Sequence, residues 1–463
     1  MNKDKTKFLF YFMIIGLLVF FFFIESKGLN HVEPGDEHIY FYMGKMISQG
    51  YVPYKDFFHA HPPLKVYIIA LVFKIFGFNL AILKLIPLLC SMTTAFFLFR
   101  LMKRFNGITA LLSAFLFLFS FRVMLESTYF MGINLTAMFT VIGFYYFISL
   151  RYYRSGFFLA MAGLSGLYSL IPISVVFIYL LIKNRISFLK LLAGFSVFFA
   201  VNILFILLSS SYLTDVYLYH LLKPNVISNK IDVFIGSLKE NWLIFFSSFL
   251  FIILLLISIL KKIEIKSRKI LYLSGIIAVL YIVFLLSLNK IFNYYFVLLF
   301  PFLAVIGSYS LYKIISYLIA KSKIIIIILI LCSIFIVWNI SADAFYLNRF
   351  DFDNFDNADI ILNHIETIDG MLFGDDSIIP LIALMSNRDI ALNMIDSNDM
   401  VFNSGLINLT EVLNKLKKEK NIIIVRPLRG IGLIEEMKSF VDDCTKKKNI
   451  KDSLRGDFLI CQP

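Results

Sequence analysis

Long apolar runs set the first limit on how this chain can fold. They recur near 7–24, 80–99, 108–121, 131–150, 156–169, 171–182, 188–208, 241–260, 270–288, 291–308 and 324–341. Hydrophobic residues make up 59% of the 463 positions, which exceeds the roughly half that is usual for soluble domains. A helix of about 20 apolar residues spans a bilayer. The sequence therefore predicts a polytopic α-helical membrane protein with about 11 transmembrane helices.

The distribution of charge predicts the orientation of these helices. Residues 1–342 hold 30 Lys and Arg but 11 Asp and Glu, whereas residues 343–463 hold 14 and 20. In the first part the basic residues concentrate in alternate short connections, and such loops stay in the cytoplasm. We therefore expect a multi-pass protein of the cell membrane with a cytoplasmic N-terminus, a first outer loop at 25–79 and an extracytoplasmic C-terminal segment. The basic excess belongs to the membrane part and does not indicate nucleic-acid binding.

Two segments need separate treatment. The run PLKVYIIALVFKIFG (63–77) is short and contains Lys65 and Lys74, so we predict an interfacial helix on the outer face rather than a crossing. Residues 156–182 must instead cross twice, with a break near Pro172.

The first outer loop concentrates titratable residues. Pro34-Gly35 forms a predicted turn, Asp36 is a good N-cap, and EHIYFYMGKMISQG follows as an amphipathic, aromatic helix ended by Gly50. Capping explains one acid but not Glu37 beside it. It also leaves unexplained why YVPYKDFFHAHPPL supplies further titratable side chains. Solvated outer loops commonly hold acids, so either a solvated loop or a site at the bilayer edge fits this pattern.

The same residues resemble the GT-C glycosyltransferases, most closely the protein O-mannosyltransferase-like group that includes the lipid A aminoarabinose transferases. The matching positions are Asp36, Glu37, Gly50, Tyr51, Pro53, Tyr54, Asp56, Phe57, Phe58, Pro62, Pro63 and Leu64. The segment NYYFVLLFPFLAVIG (293–307) is similar to a late spanning segment of the family. The resemblance covers roughly residues 1–342, for which it implies a GT-C-like transmembrane catalytic domain.

The resemblance implies that a sugar moves from a polyprenyl-phosphate donor to a hydroxyl of a glycan, lipid or protein acceptor at the outer face. It makes Asp36 the candidate general base, with a raised pKa, and gives Glu37 a supporting role. The candidate substrate-binding residues are Tyr54, Asp56, His59, His61, Glu126, Tyr217, His220, Lys223, Tyr294 and Tyr295. Among the outward cations, Lys223 is preferred over Arg122 for the leaving phosphate.

Two positions depart from the family pattern. Relatives often carry a Lys or Arg where this chain has Ser169, and many place an Asp where this chain has Asn134. Either phosphate contact comes from elsewhere or the donor is held differently, and Glu126 is the candidate that compensates for Asn134.

The sequence is also compatible with other interpretations of these residues and of the whole protein. We expect no cofactor, but His59-x-His61 with Asp36, Glu37 and Asp56 is an alternative divalent-metal site. The alternative functions are a transporter or flippase of lipid-linked sugars and a non-catalytic subunit of a cell-envelope glycan assembly. A transporter should carry polar groups near the bilayer midplane, whereas here the acids concentrate on one face.

Residues 343–463 are predicted to form a small extracytoplasmic α/β domain. ADIILNHIETI, DSIIPLIALMSNR and TEVLNKLKKEK indicate helices, and MLFGD and NIIIVRP indicate strands. The domain either helps to admit the acceptor or is a structural cap.

Overall fold

The computed structural model describes residues 3–222, 227–260, 268–319, 355, 357–452 and 456–463. The chain divides into two compact units. The first unit comprises Met1–Asn30, Lys84–Val201 and Val226–Phe352, and the second comprises His31–Leu83, Asn202–Asn225 and Asp353–Pro463. The predicted first outer loop and the predicted C-terminal domain are thus grouped in the same unit.

Helices account for most of the described chain before residue 320. They are α1 (Lys3–Glu25), α2 (Glu37–Ser48), α3 (Leu64–Phe76), α4 (Leu80–Met102), α5 (Gly107–Leu118), α6 (Phe121–Ser127), α7 (Ile133–Ile148), α8 (Tyr152–Ser165), α9 (Leu170–Lys183), α10 (Arg185–Leu208), α11 (Tyr219–Leu222), α12 (Ile227–Glu240), α13 (Trp242–Leu260), α14 (Arg268–Ser287) and α15 (Phe300–Ile319). A π-helical turn at Thr214–Leu218 precedes α11.

Five described segments are helical, long and apolar enough to cross a membrane. They are Phe8–Asn30, Leu80–Met102, Arg185–Leu208, Trp242–Leu260 and Lys269–Ser287. The helices α5 and α6 together reach the same length but are bent by 65° at their junction. The predicted span 324–341 lies outside the described residues, so the number of 11 crossings stays a prediction.

Two helix boundaries differ from the predicted ones. The run predicted at 291–308 is a helix only from Phe300, because Asn293–Leu298 form a 3-10 segment first. The break within 156–182 falls at Gly166, whose backbone is extended, and a 3-10 turn follows. Pro172 lies instead in the first turn of α9, where a proline is tolerated because that N–H has no helical acceptor.

The second unit begins with the helix predicted after Asp36. This helix, α2, runs against α3, and a side chain in place of Gly44 would overlap Ile69. The absence of a Cβ at Gly44 therefore permits the two helices to approach closely. The predicted helix at 63–77 is confirmed as α3, and its interfacial placement stays a prediction.

The C-terminal part is the predicted α/β fold. Its elements are α16 (Asn357–Glu366), β1 (Met371–Gly374), α17 (Ile379–Met385), α18 (Asp399–Asn403), α19 (Leu409–Leu416), β2 (Asn421–Val425), α20 (Glu435–Asp443), β3 (Thr445–Ile450) and β4 (Phe458–Gln462). The sheet order is β1-β2-β4-β3, with β1 and β2 parallel and the other pairs antiparallel. The strand β3 was not predicted because TKKKNI is hydrophilic, as suits a largely exposed edge strand.

The end of β1 is closely fitted to β2. Gly374 has a φ of 139°, and a Cβ there would overlap the carbonyl oxygen of Ile424. The backbone N–H of Asp375 donates to that same carbonyl, with an N–O distance of 2.8 Å. Only glycine fits both this backbone conformation and this close approach.

We predict that Gly374→Ala destabilises the C-terminal fold by more than about 2 kcal/mol, because both strain and overlap must be relieved. Gly405→Ala is the matched control, since Gly405 has a φ of 75° but open space around it. Its cost should be about 1 kcal/mol, from conformation alone. Thermal unfolding and protease resistance in detergent measure both variants, and equal losses would contradict the predicted overlap.

Candidate functional site

Asp36 lies in the turn that leads into α2. It occupies the N-cap position, half-buried, but its side chain makes no capping hydrogen bond. The predicted N-cap position is confirmed, but the side-chain capping bond that this position usually provides is not made. Glu37 is fully buried in the first turn of α2, with Oε1 3.8 Å from Nε2 of His38. Acids near a helix N-terminus are stabilised by the helix dipole.

Three histidines predicted from the sequence come together in this unit. The ring of His61 lies 5.9 Å from that of His59 and 5.4 Å from that of His220, measured between centroids. Nε2 of His220 is hydrogen-bonded to the carbonyl of Ala60 at 2.7 Å. The hydroxyl of Tyr54 donates to the carbonyl of His61, also at 2.7 Å. We call His59, His61 and His220 the histidine cluster.

A buried lysine adjoins the histidine cluster. Lys65, in the first turn of α3, is 2% exposed, and its Nζ lies 3.5 Å from the centroid of the Tyr40 ring. The same ring lies 6.3 Å from that of His59 and 5.9 Å from that of His61. Burial lowers the pKa of His59, the charge of Lys65 lowers it further, and a hydrogen bond to the Pro62 carbonyl acts in the opposite sense. The cluster therefore joins a neutral imidazole to a cation.

The segment after α10 fixes the loop that carries the histidines. Tyr54 has a positive φ of 69°, and its carbonyl accepts hydrogen bonds from the hydroxyls of Ser209 and Ser211. Ser211 also donates to Oδ2 of Asp215 at 3.3 Å. Burial raises the pKa of Asp215 to about 6, against the lowering effect of hydrogen bonds to Ser211 and to the backbone of His59. Asp215 is thus a further titratable group of this region.

Two other predicted residues have structural partners. The carboxylate of Asp56 accepts from the backbone N–H of Val52 at 2.7 Å, which closes its own turn. The hydroxyl of Tyr217 donates to Oδ1 of Asn202 at 2.7 Å. Both contacts stabilise the shape of the loop region.

The remaining predicted residues belong to the first unit or lie outside the described chain. Oε1 of Glu126 is 3.8 Å from Nη1 of Arg122, whose Nη2 contacts Oε2 of Glu240 at 2.6 Å. The hydroxyls of Tyr168 and Tyr295 are 2.7 Å apart, and the rings of Tyr294 and Tyr295 have centroids 4.7 Å apart. Lys223, the cation preferred for the leaving phosphate, lies outside the described residues.

The carboxyl ends of β1 and β2 supply residues that the sequence did not indicate. Arg426 forms a buried, bidentate ion pair with Asp375, with Nε–Oδ2 at 2.7 Å and Nη2–Oδ1 at 2.9 Å. Asp376 follows Asp375 and is also buried. From the sequence, MLFGD and DSIIPLIALMSNR indicated only a strand and a helix at this point. The signal that would have found these residues is their position, because ligand sites of parallel sheets lie beyond the carboxyl ends of the strands.

These strand ends adjoin the turn of Asp36. The backbone N–H of Gly35 donates to the carbonyl of Ser377 at 3.0 Å. Burial raises the pKa of Tyr219, and the charges of Asp396, Asp399, Asp376 and Asp36 raise it further. Tyr219 therefore lies among acids from the loop and from the C-terminal fold, and the next residue along the chain, His220, belongs to the histidine cluster.

The alternative of a metal site has no geometric support within the described residues. In that part of the chain, no three or more His, Cys, Asp or Glu side chains are grouped closely enough to hold a metal ion. The expectation that no metal is required stays a prediction.

The sequence and the structure of the chain were compared with those of known proteins. A family model described as dolichyl-phosphate-mannose-protein mannosyltransferase matches residues 60–212. A crystal structure of ArnT from Cupriavidus metallidurans bound to undecaprenyl phosphate matches with a TM-score of 0.66 and 11% identity, over 97% of each chain. The chain has the fold of ArnT. The apo state of ArnT matches with a TM-score of 0.64 and 11% identity, over 99% of this chain and 98% of that one.

These matches confirm the resemblance to the GT-C glycosyltransferases that was predicted from the first loop. They also confirm the fold class, a polytopic helical protein with a small C-terminal sheet. Among curated protein sequences, none matches the chain.

We predict that Arg426→Met destabilises the protein by about 3–5 kcal/mol, because it leaves the Asp375 carboxylate buried without its cation. The double variant Asp375→Leu/Arg426→Met should recover much of this loss, since replacing a whole buried pair by apolar side chains is often neutral. Thermal unfolding of the purified proteins in detergent compares the two. A double variant as unstable as the single one would contradict this account of the pair.

Proposed function

We propose that this chain is a membrane glycosyltransferase that moves a sugar from a polyprenyl-phosphate donor to an acceptor hydroxyl at the outer face. The fold of ArnT, which was crystallised with undecaprenyl phosphate, and the match to a mannosyltransferase family support this proposal. The observation that carries it is local to the second unit. This unit contains both the half-buried Asp36 and the lysine–histidine cluster, in which His220 from the segment after α10 joins residues of the first predicted outer loop.

Asp36 is the proposed general base. The acceptor oxygen forms a bond to the anomeric carbon of the sugar while the bond from that carbon to the phosphate oxygen breaks. The acceptor proton passes to the Asp36 carboxylate, and the polyprenyl phosphate leaves with the bonding electron pair. An alcohol is a weak nucleophile until its proton is withdrawn, so a carboxylate within reach accelerates the step. Asp36 lies half-buried at the N-cap position of α2, in the turn that leads into the helix.

Lys65 is the proposed cation for the leaving phosphate, in place of Lys223. Negative charge develops on the phosphate as the bond breaks, and a buried cation stabilises it more strongly than an exposed one. The ring of Tyr40 holds the ammonium group of Lys65 beside the histidine cluster. Tyr40 also lies one helical turn after Asp36, so α2 connects the base with the phosphate end of the site.

The proposed roles of Asp36 and Lys65 indicate the classes of acceptor and donor. The donor is a lipid phosphate bearing a sugar, whose polyprenyl chain lies in the bilayer, and the acceptor is a glycan, lipid or protein hydroxyl. No residue of the site is assigned to a cofactor. A transporter of lipid-linked sugars or a non-catalytic assembly subunit would not require a base at Asp36.

The test uses purified protein with a panel of radiolabelled polyprenyl-phosphate sugars and host envelope glycans. We expect Asp36→Asn to lower kcat by about 10²- to 10⁴-fold, the usual contribution of a general base, while the KM for the donor changes little. Asp359→Asn is the matched control, because Asp359 is exposed on α16. Lys65→Met should lower kcat by about 10²-fold, as expected when one stabilising group is lost.

Other outcomes would change the assignment. Full activity of Asp36→Asn would remove Asp36 as the base. Movement of lipid-linked sugar across vesicles without transfer, unaffected by Asp36→Asn, would indicate a transporter. Loss of activity on treatment with EDTA, restored by a divalent ion, would contradict the expected metal independence.

A further inference from the structure

The proposed reaction leaves one buried acid without a role. Asp376 lies at the carboxyl end of β1, is 8% exposed, and accepts a hydrogen bond at Oδ2 from Nδ2 of Asn398 at 2.8 Å. Buried carboxyl groups are normally paired with a cation or are protonated. The environment of Asp376 distinguishes these two possibilities.

Arg426, at the end of β2, is paired with the neighbouring acid. Arg426 contacts both carboxylate oxygens of Asp375 and the hydroxyl of Ser377. The backbone N–H and the hydroxyl of Ser377 also donate to Oδ1 of Asp375, at 3.1 and 2.7 Å. Asp375 is therefore satisfied as a charged carboxylate. The same contacts fix the backbone that carries Asp376.

The charges around Asp376 are acidic. Burial raises the pKa of Asp376 well above its ordinary value, the charges of Asp375, Asp36 and Asp396 raise it further, and the hydrogen bond from Asn398 acts in the opposite sense. Within the described residues, several titratable and charged groups adjoin Asp36 and Asp376. They are Glu37 on α2, Tyr219 on α11, Asp396 before α18, Asp399 at its start, and Asp375 with Arg426 at the strand ends.

A backbone hydrogen bond connects the turns that hold the two acids. Gly35 precedes Asp36 and Ser377 follows Asp376, and the Gly35 N–H donates to the Ser377 carbonyl at 3.0 Å. The turn of the base and the turn of Asp376 are thus connected at adjacent residues. The charge of Asp36 also opposes ionisation of Asp376, and interacting carboxyl groups share protons rather than ionise together.

We propose that Asp376 is a positioning residue that is held as a neutral carboxylic acid and donates a hydrogen bond orienting the Asp36 carboxylate. This inference rests on the proposed function of Asp36. Oδ2 of Asp376 accepts from Asn398, so Oδ1 carries the proton. The C-terminal fold then acts on the chemistry through Asp36 and without touching the substrate.

The hydrogen bond predicts a graded effect of substitution. Asp376→Leu removes the donor and should lower kcat by about 10- to 100-fold, as expected for a hydrogen bond to a charged group, with little change in the donor KM. Asp376→Asn keeps an N–H donor of the same shape and should lower kcat by less than about 10-fold.

The pH profile separates positioning from a packing role. Deprotonation of Asp376 at high pH replaces the donor by a second negative charge, so the wild type should lose activity along an alkaline limb. Asparagine cannot ionise, so this limb should be absent in Asp376→Asn. Asp396→Asn, which removes a neighbouring acid but not the donor, should retain the limb at a lower pH, because less negative charge then opposes ionisation of Asp376.

An infrared measurement keeps the test independent of activity. The difference spectrum between wild type and Asp376→Asn at pH 7 should contain the C=O stretch of a protonated carboxyl group, which should disappear at high pH. Absence of this band would overturn the proposal even if no donor is turned over. A kcat for Asp376→Leu equal to that of wild type would also overturn it, as would a loss in Asp376→Asn as large as in Asp36→Asn. Full activity of Asp36→Asn would instead refute the proposed base.

Discussion

The buried ion pair between Arg426 and Asp375 is the contact on which the acidic side of the site depends. It joins the carboxyl ends of two parallel strands, whose close approach requires glycine at position 374. With Asp375 held as a paired carboxylate, the next residues along the chain have a fixed direction. The carbonyl of Ser377 accepts a hydrogen bond from the N–H of Gly35, and the charge of Asp36 raises the pKa of Asp376. The C-terminal α/β fold and the loop before α2 are thus joined by backbone and charge contacts.

The opposite side of the site has the opposite electrostatic character. Lys65 is buried against an aromatic ring and adjoins histidines from two separate segments. The helix α2 runs between the two sides, with Asp36 at its start and Tyr40 one turn later. A donor with a charged phosphate and an acceptor with a hydroxyl need a cationic and an acidic environment in the same site. The second unit supplies both, and the proposed reaction therefore assigns Lys65 to the phosphate and Asp36 to the hydroxyl.

Much of the fold and part of the candidate site could be predicted from the sequence. Apolar runs and strand patterns predicted most helices and the strands β1 and β2. They do so because a segment buried in lipid or in a sheet core has a recognisable hydrophobic pattern in its sequence. Asp36, His59 and His61 stood out because they are polar residues in an apolar chain. Asp215 was not singled out, Lys65 was noticed only as a charge, and Asp376 and Arg426 only as parts of a predicted helix and strand. Their surroundings depend on contacts between different segments, such as Lys65 with Tyr40 and Arg426 with Asp375, for which local pattern has no signal.

The central claim, that the site faces outward and takes a lipid-phosphate donor, is tested most directly by the chemical accessibility of the site in intact cells. A variant without native cysteines and with His61→Cys would be treated with a membrane-impermeant maleimide, with and without added undecaprenyl phosphate. His61 is partly exposed and belongs to the proposed phosphate end. We expect labelling from outside the cell, and protection from it by the lipid phosphate. Labelling only after the membrane is permeabilised, or labelling unaffected by the lipid phosphate, would contradict an outward-facing site for a lipid-phosphate donor.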